Sequence, residues 1–134
     1  MTATDNAANL AGLKVMVIDD SNTIRRSAEI FLVQAGCKVI LAEDGFDALA
    51  KINDHQPEVI FVDITMPRLD GYQTCALIKR NQRFATTPVI MLSSKDGLFD
   101  RARGRMVGSD EYLTKPFTKE ELLRTVAERA PVRD

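Results

Sequence analysis

Little in this sequence commits it to a nucleic acid, a membrane or an oxidising compartment. Lysine and arginine number 18 against 19 aspartates and glutamates, for a formal net charge of −1. No overall basic field therefore argues for nucleic acid or an anionic membrane surface. No apolar run approaches the length of a membrane span. Met1 to Ala11 is small and polar, with no basic segment followed by an apolar core, and so does not read as a secretory signal. Cys37 and Cys75 are the only cysteines and share no metal-ligand spacing. They read as reduced, partly buried apolar residues of a cytoplasmic protein rather than a disulfide. His55, the single histidine, has no metal-spaced companion and reads as a surface residue. No internal repeat and no second domain are visible.

What is present suffices for one folded unit. The chain has 134 residues, of which 45 % are apolar and 28 % charged. A chain of that length buries a core without disulfides or structural metals. Residues 1–11 read as a flexible tail, 12–130 as the domain and 131–134 as a C-terminal tail. Apolar, β-prone runs at Leu13–Ile18, Lys38–Ala42, Val59–Val62, Val89–Leu92 and Glu111–Thr114 predict five strands. Helical spacing predicts helices over Asn22–Ala35, Phe46–Asn53, Gly71–Asn81, Leu98–Met106 and Lys119–Arg129. Ser21 or Asn22, Asp70 and Thr118 are the expected caps, and Gly36 the expected stop. Strand and helix alternate five times, which implies an α/β fold: a parallel sheet with helices on both faces. Only Ala130 to Asp134 follows the last helix, so a stand-alone domain without a DNA-binding or catalytic output domain is expected.

The polar residues gather at one edge of that sheet. Strand one ends in Asp19-Asp20, strand three in Asp63 and strand four in Ser93, while strand five leads to Lys115. In a parallel sheet these ends emerge together, where open α/β folds bind their ligands. Singly, each residue has a bland reading. A lone Asp at a strand end is usually a cap or a turn residue, and Lys115-Pro116 reads as a turn, in which a cis bond would aim the lysine. Jointly they describe a site. Three carboxylates held close repel one another unless a hard divalent cation, Mg²⁺ by preference, neutralises them. A carboxylate facing that cation, a hydroxyl and an ammonium suits phosphoryl transfer, with Asp63 attacking and an aspartyl phosphate as product.

These residues resemble the receiver domain of two-component response regulators, of the single-domain chemotaxis type. The resemblance spans about Leu13 to Ala127. It is carried by Val17-Ile18-Asp19-Asp20-Ser21, by Asp63 with Met66-Pro67 and Asp70-Gly71, by Ser93-Ser94 and by Tyr112-Leu113-Thr114-Lys115-Pro116-Phe117. Within the family, the stretches Gly12–Asp20, Asp44–Ile52, Met66–Lys79 and Thr87–Phe99 resemble the regulators of type IV pilus (twitching-motility) chemosensory systems. The resemblance implies a flavodoxin-like sheet in the order 2-1-3-4-5. It implies that Asp63 takes phosphate from a histidine kinase. Mg²⁺ would sit on Asp20, Asp63 and the backbone carbonyl of Thr65, with Asp19 acting through water. Ser93 and Lys115 would bind the phosphoryl group, and Tyr112 would be the aromatic switch. A downstream partner, of the pilus machinery, would dock on the face of the fourth helix, fifth strand and fifth helix of a monomer. Thr65 departs from the familiar asparagine two residues after the phosphoacceptor, which puts the lifetime of the phosphorylated state in question.

Around the fourth helix, Arg101, Arg103 and Arg105 read as a solvated face, with a partner surface as the alternative. Gly97, Gly104 and Gly108 read as helix punctuation, or as marks of an element that moves. Three competing functions are weaker. An aspartyl-nucleophile phosphatase wants a second carboxylate at the position of Thr65. A dinucleotide-binding module wants a glycine-rich loop where Asp19-Asp20-Ser21-Asn22-Thr23 stands. A receiver-fold module acting without phosphate has no use for the intact set Asp19, Asp20, Asp63, Ser93 and Lys115.

Overall fold

The computed structural model describes residues 10–94 and 98–131. Gly97 and most of both expected tails lie outside those residues. The strands are β1 (Lys14–Ile18), β2 (Lys38–Ala42), β3 (Val59–Asp63), β4 (Val89–Ser93) and β5 (Glu111–Thr114). The helices are α1 (Asn22–Gln34), α2 (Gly45–His55), α3 (Gly71–Arg80), α4 (Leu98–Met106) and α5 (Lys119–Arg129), with a 3₁₀ turn at Gln82–Phe84. All pairings are parallel, in the order β2-β1-β3-β4-β5.

The strand alternation divides the core in two. Val15, Val17, Phe61, Ile90 and Leu92 face α1 and α5, where Leu32, Leu122 and Val126 meet them. Met16, Ile18, Ile60, Val62 and Met91 face α2 and α3, where Ala48, Ile52, Cys75 and Ile78 complete the second layer. Every residue of β3 and β4 is buried, as central strands covered on both faces require. Cys37 and Cys75 are both free and buried.

Local chemistry sets the ends of the elements. Ser21 caps α1 by accepting the N–H of Ile24 at 3.3 Å. Asp70 and Thr118 form capping boxes with Gln73 and Glu121 at the starts of α3 and α5. Gly36, at φ +92°, ends α1, and Gly108, also at φ +92°, follows α4, which supports the punctuation reading for Gly108. α2 runs two residues beyond its expected end at Asn53, to His55, where Gln56 takes the left-handed conformation and returns its N–H to Ile52. The expected tail is corrected at its inner end. Leu10 is buried in the core, and Gly12 donates to the Gly36 carbonyl at 2.8 Å. An apolar side chain next to an edge strand is drawn in even when its neighbours are polar.

Candidate functional site

The carboxyl edge of the sheet brings the expected residues together. Asp19 follows β1, Asp63 closes β3 and Lys115 follows β5. The Lys115 ammonium lies 3.0 Å from Asp63 Oδ1 and 3.2 Å from Asp19 Oδ2. It thus bridges two carboxylates that come from separate strands. Each is also held by the loop after it. Ser21 N–H donates to Asp19 Oδ1 at 2.8 Å, and Thr65 N–H donates to Asp63 Oδ1 at 3.3 Å. Arg25 of α1 donates to the Asp19 carbonyl at 2.6 Å. Asp19 and Asp63 are buried, whereas Asp20 is exposed. The Lys115–Pro116 bond is cis.

The electrostatics follow from burial and crowding. Burial, then the neighbouring Asp19 charge, pushes the Asp63 carboxyl up to about 6, against the pull of Lys115. Burial also raises Asp19, with the Ser21 N–H and Lys115 working against it. Burial disfavours the Lys115 ammonium, but the two carboxylates outweigh burial and raise it. Asp19, Asp20 and Asp63 offer oxygens that all lie within 4.8 Å of one another. One ammonium against three carboxylates leaves negative charge in excess, and the donors are all hard oxygens. This set fits Mg²⁺.

The remaining expected residues surround this centre. Ser93 is buried at the end of β4, in register with Thr114, and its carbonyl accepts the Lys115 N–H at 2.6 Å. Thr65 is exposed in the loop two residues past Asp63. Tyr112 is half-buried on β5, beside Met91 of β4. Gly71 closes the loop from behind: a Cβ there would stand 2.2 Å from the Asp63 carbonyl oxygen, so only glycine fits.

Two contacts of α4 were not legible from residue pattern. Arg101 lies over the Tyr112 ring, 5.2 Å from its centroid, and Arg103 lies over the Tyr72 ring at 4.3 Å. Both arginines remain exposed, as the solvated-face reading expects, and each in addition covers a tyrosine ring. A basic helix flanked by two tyrosines was the only sequence signal.

Comparison with known proteins agrees with this geometry. Residues 15–127 match the response regulator receiver domain. Over 120 residues the chain is 72% identical to Protein PilG of Pseudomonas aeruginosa, covering 90% of this chain and 89% of that protein. It is 37% identical over 109 residues to the alkaline phosphatase synthesis transcriptional regulatory protein PhoP of Bacillus subtilis, but that match spans only 45% of PhoP. Among solved structures, chemotaxis protein CheY4 of Vibrio cholerae is similar with a TM-score of 0.86 and 34% identity, over 89% of this chain and 99% of that one. Among the described residues, no helix is long and apolar enough to cross a membrane.

Proposed function

This chain belongs to the response regulator receiver domain family, and from that premise we propose that it is a cytoplasmic phosphoacceptor switch in the chemosensory control of type IV pili. A histidine kinase is the donor. The Asp63 carboxylate attacks phosphorus, the bond to the donor histidine breaks, and an acyl phosphate forms on Asp63. The observation that carries this reading is the Lys115 ammonium held between Asp63 and Asp19, beside Asp20.

Each residue has a role in that chemistry. Asp20, Asp63 and the Thr65 carbonyl would hold Mg²⁺, and Asp19 would act through its water shell. Bound there, Mg²⁺ would supply positive charge to the phosphoryl oxygens. Lys115 exchanges part of its bond to Asp63 for a phosphoryl oxygen, and the Ser93 hydroxyl takes another. The pull on Ser93 is transmitted along β4 and β5, and Tyr112 turns inward beneath α4. The face made by α4, β5 and α5 then changes its affinity for a partner of the pilus machinery. The chain acts on no substrate but its own phosphoryl group. Residues 10–130 make up the working unit, with Leu10 part of its core, and it works as a monomer.

The test is intact-mass spectrometry after incubation with acetyl phosphate and Mg²⁺. One phosphoryl adduct is expected in the native chain and none in Asp63→Asn. An adduct that survives this substitution, or no adduct in either protein, contradicts the proposal.

A further inference from the structure

The outer edge of β2 gathers a second group of charges, at the amino ends of the strands and away from the carboxylates. A groove of about 390 Å³ runs along it, lined by residues 38–41, by Lys14, and by Lys51 and His55 of α2. Successive strand side chains point to opposite faces. Four consecutive residues can share one groove only if it follows the backbone edge itself.

That edge carries open hydrogen-bonding groups. Lys38 donates to the Leu13 carbonyl, and the Ala42 carbonyl accepts from Asp19, so the even-numbered residues of β2 turn toward β1. Val39 and Leu41 therefore turn outward. The Leu41 carbonyl accepts the Lys51 ammonium at 2.7 Å. Among the described residues, the Val39 N–H and C=O and the Leu41 N–H take no partner, which is the usual template for an added strand.

The charge on the groove is one-sided. Lys14 and Lys38 are directly opposite in register, so both side chains leave the sheet on the α2 face. Like charges so placed are unfavourable. Neither ammonium makes an ion pair among the described residues. Glu58 accepts the backbone N–H of Lys14, not its ammonium. Lys51 is matched by Asp47 at 3.0 Å, and no acidic residue lines the groove. A second copy would bring the same lysines and be repelled. A strand bearing carboxylates would relieve the clash.

We propose that the β2 edge binds an extended acidic segment of a partner protein, which adds as a sixth strand. The segment pairs with Val39 and the Leu41 N–H, and sets alternate carboxylates against Lys38 and Lys14. Lys51 keeps the Leu41 carbonyl and so limits the pairing to that short stretch. The site lies apart from Asp63 and needs no phosphoryl group.

The test uses the full ¹⁵N-labelled chain and a synthetic peptide alternating glutamate and threonine. Saturable shifts centred on the Val39 and Leu41 amides are expected. The Lys14→Gln/Lys38→Gln double variant, whose fold is checked by its own amide spectrum, is expected to bind about tenfold more weakly, as the loss of two exposed ion pairs implies. A peptide alternating lysine and threonine is expected to leave both amides unmoved. The proposal is overturned by shifts scattered over surface lysines without Val39 and Leu41, by equal binding to the folded double variant, or by no saturable shift.

Discussion

Arg103 of α4 covers the ring of Tyr72, with 4.3 Å between the guanidinium carbon and the ring centroid. Arg101, two positions earlier and so about 200° around the helix, covers Tyr112. α4 is thereby tied to α3 on one side and to β5 on the other. Tyr72 follows Gly71, whose backbone packs on the Asp63 carbonyl. Any change at Asp63 therefore has a route to α4 through α3 as well as through Tyr112.

A first prediction tests that tie. An exposed to half-covered cation–π contact contributes about 0.5–2 kcal/mol. Arg103→Ala should speed amide exchange at Val107 and Gly108, whose N–H groups close the last turn of α4, by roughly 2- to 30-fold. Unchanged protection, measured by hydrogen exchange, would show that Arg103 does not hold the helix.

Asp63 should cost the fold stability at neutral pH. Its carboxyl is pushed up to about 6 by burial and by Asp19, whereas an unfolded Asp titrates near ~3.9. The folded state thus binds the proton more tightly. The penalty is absent below about pH 4, grows as pH rises through 6 and is complete at 7. Asp63→Asn should accordingly stabilise the chain at pH 7 by on the order of 1–3 kcal/mol, and by little at pH 4. Mg²⁺ should stabilise the native chain more than the variant. Thermal melts at the two pH values, with and without chelator, check all three statements.

Gly71→Ala forces a methyl group toward the Asp63 carbonyl, with Ile64 Cα only 2.7 Å away as well. Both neighbours are backbone: Asp63 at the buried end of β3, and Ile64, which follows it. A loss of about 2–4 kcal/mol is expected in urea unfolding. A loss below about 0.5 kcal/mol, the range of neutral surface changes, would mean that the loop gives way freely.

Thr65 binds Asp63 through its backbone N–H and leaves its side chain exposed. Thr65→Asn should therefore change the decay rate of the phosphorylated protein while Mg²⁺ affinity stays within about twofold, since the backbone is kept. Decay followed by phosphate release, and binding by calorimetry, separate the two. An unchanged decay rate would remove Thr65 from the timing of the signal.

The sheet and its polar edge were readable because they depend on short-range pattern. β-prone runs, Asp and Thr caps and the alternation of elements are local, and topology alone then carries Asp19, Asp63, Ser93 and Lys115 to one place. Side-chain partnership across elements was not readable. Whether the exposed Arg101 and Arg103 also meet a tyrosine depends on how α4 is set between α3 and β5. The burial of Leu10 likewise depends on the neighbouring Gly36 turn, which no local window contains. Asp110 is a similar case: it accepts the N–H of Val89 at 2.9 Å and pairs with Lys79 at 3.0 Å, joining α3, β4 and the turn before β5.

The central claim is that Asp63 itself receives the phosphoryl group. An acyl phosphate is reduced by borohydride to an alcohol, so phosphorylation in Mg²⁺ and acetyl phosphate followed by deuterated borohydride should convert Asp63 to labelled homoserine. Peptide mass spectrometry should find the label at residue 63, with Asp19 and Asp20 unlabelled. Label at Asp19 or Asp20, or none at Asp63 in a sample shown to be phosphorylated, would contradict the account.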